Sequence, residues 1–60
     1  MGLAEKFMRV YANLPLNIRK EIVLVINNEP ITWSVAYREI SGKTALGEII
    51  LKKLGDLKII

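Results

Sequence analysis

The segment from Thr32 to Leu54, TWSVAYREISGKTALGEIILKKL, constrains this chain more than any other. Trp33, Ala36, Tyr37 and Ile40 recur at i, i+3, i+4 and i+7, which places them on one face of a helix. Thr32 precedes them and predicts an N-cap, its hydroxyl accepting from a first-turn N–H, with Ser34 as the competing cap. Gly42 follows the last periodic residue and suits the left-handed position that ends a helix. Thr44 then caps a second helix whose apolar positions are Leu46, Ile49, Ile50 and Leu54. Glu48 and Lys52 make an i, i+4 pair on its wet side, and Gly55 is the expected stop. Gly47, inside this helix, weakens it by roughly 1 kcal/mol relative to alanine. It either admits a close helix contact or is tolerated slack, and close contact is the preferred reading. A three-residue link folds the two helices into a hairpin or corner. The pair leaves apolar surface that the first half of the chain must cover.

In that first half Leu3, Phe7, Val10, Tyr11 and Leu14 share a helical face, so a helix is predicted from about Leu3 to Asn13. Glu5 and Arg9 pair on its outer side. Pro15 ends it, because the residue before a proline is pushed out of the helical region. Pro15 also suits the first position of a further helix. The run from Leu16 to Ile26 has two readings. As a helix it gathers Ile18, Ile22, Val25 and Ile26 against Asn17, Lys20 and Glu21, and leaves Leu24 among the polar residues. As a strand, Ile22 to Ile26 is a β-branched run that Asn27-Asn28 could turn back onto Ile31-Thr32-Trp33. Propensity favours the strand. Architecture favours the helix, since an all-apolar strand wants cover on both faces and a lone two-stranded hairpin is marginal. Asn27 or Asn28 would then cap the helix, with Pro30 beyond. The expected fold is therefore all-α: a single domain, residues 1–60, built as a compact bundle of four short helices near residues 3–13, 15–27, 33–41 and 45–55. The alternative is α+β, with a small β-hairpin at 22–33. The Ile59-Ile60 tail either packs back on the core or pairs along another chain.

Composition narrows the chemistry. A sixty-residue chain without cysteine has no disulfide and no thiolate metal site to brace it, so it needs a dense core or a partner. The hydrophobic share of 52% supplies the first and points to self-association for the second. The net charge of +3 permits contact with nucleic acid or an anionic membrane without demanding it. The N-terminus lacks the basic-then-apolar order of a signal peptide, and Lys6 stands where a myristoylation signal wants Ser or Thr. The longest apolar run, Ile22 to Ile26, is far short of a membrane span. A cytoplasmic protein with no membrane partner is expected.

Histidine and cysteine are both absent, which removes the imidazole base, the thiol nucleophile and the usual zinc ligands. Glu5, Glu21, Glu29, Glu39, Glu48 and Asp56 mostly neighbour basic residues and read as solvated faces; none forms a calcium loop. Gly42-Lys43-Thr44 matches the end of a phosphate-binding loop. The full pattern needs glycine where Tyr37 stands and a strand upstream, so a helix end and the next cap is the better reading. No catalytic, cofactor-binding or metal residue is assigned, no cofactor is expected, and the chain is read as non-enzymatic. The leading function is a protein–protein interaction or self-associating module. The rival is a small basic nucleic-acid-binding protein using Arg19, Lys20, Lys43, Lys52 and Lys53. A helix-turn-helix register is wrong for it, because Ala36 precedes Gly42 by six residues rather than four. Trp33 and Tyr37 read as core rather than as a stacking platform for bases.

The lack of Cys, His and Gln, with abundant Ile and Lys, leans toward thermophilic usage, against which stand four Asn. With the phrases EPITWSVAYREI and LGEIILKKL, the chain resembles short uncharacterised proteins of thermophilic archaea. That resemblance implies no activity and no site residues.

Overall fold

A computed structural model describes residues 2–60. Met1 lies outside the described residues. The chain runs α1 (Leu3–Ala12), a 3-10 turn (Ile18–Lys20), β1 (Ile22–Ile26), β2 (Glu29–Thr32), α2 (Trp33–Ser41) and α3 (Ala45–Asp56). This is an α+β fold, and it overturns the four-helix bundle. The helix expected over 15–27 does not form; the hairpin alternative at 22–33 stands in its place.

Turn chemistry decides that outcome. Asn27 and Asn28 both adopt the left-handed region, with φ of 51° and 67°. Two such residues in a row make the primed two-residue turn whose twist matches an antiparallel hairpin, and asparagine tolerates that region better than most residues. β1 and β2 then pair antiparallel, Ile26 opposite Glu29, Val25 opposite Pro30, Leu24 opposite Ile31 and Ile22 opposite Thr32, with a bulge between Ile22 and Leu24. The objection that a wholly apolar strand needs two covered faces is met by leaving one uncovered. Leu24 and Ile26 are buried, while Ile22 and Val25 are each 59% exposed.

The core joins the three α-helices and both strands: Phe7 from α1, Leu24 and Ile26 from β1, Ile31 from β2, Ala36 and Ile40 from α2, Ile50 and Leu54 from α3. Both predicted caps form. Thr32 Oγ1 accepts from the Val35 N–H at 3.1 Å, and Thr44 Oγ1 accepts from the Gly47 N–H at 3.0 Å. Ser34, the competing cap, instead donates to the Arg19 carbonyl at 3.0 Å and ties α2 to the 3-10 turn.

The helix ends differ from expectation. Gly42 is right-handed at φ −81°, and Lys43 takes the left-handed position at φ 55°. The Lys43 N–H reaches the Ile40 carbonyl and the Thr44 N–H the Glu39 carbonyl, which satisfies two acceptors the helix end leaves open. Gly55 does not stop α3, which continues to Asp56 and closes in the same way through Lys58 at φ 58°. Gly47 faces the backbone of α2: a Cβ built there would meet the Glu39 carbonyl oxygen at 2.4 Å. Close contact, not slack, explains this glycine. Ile60 packs against the core within its own chain, while Ile59 is exposed.

Candidate interaction surface

The outer side of β1 is the most exposed apolar part of the regular structure. Its origin lies in the ladder. Residues facing each other in an antiparallel pair alternate between exchanging two hydrogen bonds and exchanging none. Ile26 and Glu29 flank the two-residue turn as a bonded pair, so Val25 and Pro30 fall at a non-bonded position. Pro30 has no N–H and is tolerated there for that reason. Val25 therefore turns its N–H and C=O away from β2, toward the free edge of the sheet. Its side chain and that of Ile22 stand exposed beside this edge. No charged residue interrupts the chain from Ile22 to Asn28. Edges are ordinarily protected by lysine, proline or a short length; β2 has Pro30, and β1 has only its bulge.

The 3-10 turn that leads into β1 meets an aromatic cluster. Phe7 stacks against Tyr11 and against Trp33, each with ring centroids 5.9 Å apart, and Tyr11 stacks on Tyr37 at 4.5 Å. Trp33 is partly buried within this cluster, as core packing requires; Tyr37 is 40% exposed and sits on its rim. The Arg19 guanidinium lies 4.4 Å from the Tyr11 ring centroid and donates to the Tyr11 carbonyl at 3.1 Å. These contacts anchor the 3-10 turn, and with it the start of β1, to α1.

Arg19 is thus engaged inside the fold rather than offered to a ligand. The other four basic residues singled out from the sequence, Lys20, Lys43, Lys52 and Lys53, are exposed. They sit on three elements: the end of the 3-10 turn, the α2–α3 link and the second half of α3. Glu39 and Arg38 form a surface pair, Nε to Oε2 at 3.5 Å, and Glu39 Oε1 also accepts from the Thr44 hydroxyl at 2.7 Å. That carboxylate braces the α2–α3 corner. No helix is long and apolar enough to cross a membrane among the described residues.

Val25 and Ile22 escaped the sequence reading because helical spacing counted them as buried. The signal that finds them is the combination of a β-branched run, two asparagines and a proline three residues after the first of them. No protein family, curated protein or solved structure matches the chain.

Proposed function

We propose that this chain is a non-enzymatic, cytoplasmic protein–protein interaction module that receives a β-strand along the outer edge of β1. One observation carries the reading: Val25 combines an outward-facing backbone with a side chain 59% exposed, on a strand with no charge. Strand addition draws affinity from main-chain bonds and specificity from alternate side chains, and both are on offer at this edge. A lysine-flanked peptide of alternating valine and threonine tests it. On titration, the Val25 amide resonance should move downfield while Ile31 stays in place. An unmoved Val25 amide at saturating peptide, at a protein dilution where sedimentation shows a single copy, overturns the proposal.

A second reading, nucleic-acid binding, is supported by the exposure of Lys20, Lys43, Lys52 and Lys53, none of which is in an ion pair among the described residues. Gel shifts with duplex and single-stranded DNA test it; absence of binding at low salt ends it.

A further inference from the structure

Resting on the interaction reading above, we infer that the strand received is β1 of a second copy, paired antiparallel so that Val25 faces the partner's Val25. The edge is its own complement. A two-fold axis through that pair sends the N–H of each valine to the C=O of the other, and the same patch serves both copies. Nothing charged between Ile22 and Asn28 opposes the approach. The two ends of the strand differ in sign: Arg19, Lys20 and Glu21 lead into it with a net positive charge, and Glu29 follows the turn. Antiparallel apposition sets the basic end of each copy toward the acidic end of the other, whereas parallel apposition sets like on like.

Assembly stops at two. Pro30 leaves the outer edge of β2 without a donor at its centre, so the joined sheet, in the order β2-β1-β1-β2, offers no second open edge. A two-stranded sheet becomes a four-stranded one, which is the more stable arrangement in water.

Sedimentation equilibrium from micromolar to near-millimolar concentration, with hydrogen exchange on the same samples, tests this. The mass should rise from one chain to two and no further. Exchange of the Val25 amide should slow by at least about tenfold over that range, while the Ile31 amide, bonded inside the hairpin, stays slow throughout. Val25→Pro removes the outward donor without touching a bond to β2 and should leave a folded monomer; Val25→Thr keeps the donor and should still pair. If Val25→Pro fails to fold, the wild-type exchange data decide alone. A wild-type monomer at the highest concentration with concentration-independent Val25 exchange overturns the inference, as does a folded Val25→Pro dimer or a mass that climbs past two. A monomer that still binds the valine–threonine peptide sinks self-pairing and leaves the interaction reading standing; failure of both experiments removes both.

Discussion

At the scale of the residue, Gly47 is the position with the least freedom. Helix propensity alone says that alanine there should gain about 1 kcal/mol. The structure says the opposite, because the added Cβ would press on the Glu39 carbonyl carbon at 2.7 Å as well as on its oxygen. Both are backbone atoms and cannot rotate aside. Overpacking of this kind costs about 1–3 kcal/mol, so Gly47→Ala should lower the chemical denaturation midpoint despite its better propensity. An unchanged or raised midpoint would mean that α2 and α3 separate cheaply. Arg19 shows the opposite economy. Its guanidinium holds both the face and the carbonyl of Tyr11, and neither contact was visible in the spacing of the sequence.

At the scale of the element, the hairpin depends on its turn. Asn28 has φ of 67°, a region that costs an alanine of the order of 1 kcal/mol and a glycine nothing. Asn28→Ala should therefore destabilise the protein by about 1 kcal/mol, while Asn28→Gly keeps or raises its stability; equal midpoints for the two variants would show that the turn is not left-handed in solution. The same residues explain what the sequence disclosed. The three true helices were legible because their apolar positions recur every three or four places, and Thr32 and Thr44 stand at the starts of α2 and α3. The hairpin was legible only as an alternative, since five apolar residues in a row carry no periodicity. What tipped the balance wrongly was the assumption that every apolar side chain must be covered. Ile22 and Val25 are not, and the candidate surface lies where that assumption failed. Left-handed Lys43 and Lys58 were hidden for a different reason: glycine stood one and three residues earlier and took the expected role.

At the scale of the whole molecule, the radius of gyration is 10.4 Å, close to the value of about 10 Å expected for a folded chain of sixty residues. One copy is therefore as compact as a folded chain of its length, and the pairing inferred through β1 would extend the sheet without rearranging the core. Charge separates the two functional readings. Copies that each carry +3 repel, and that whole-molecule repulsion exceeds the attraction of one Glu29 for the single net charge at the partner's basic strand end, so screening by salt should on balance tighten self-association through the uncharged strand. Binding to phosphates through Lys20, Lys43, Lys52 and Lys53 should weaken steeply over the same range. Sedimentation and gel shifts across one salt series give slopes of opposite sign, and a flat response in both would set the two readings aside together.

Trp33 occupies the junction where β2 passes into α2, and its indole leans on Phe7 of the first helix. It is the one tryptophan in the chain. Its emission colour consequently reports the docking of that helix on the β2–α2 junction, giving the protein an intrinsic optical gauge that needs no attached dye.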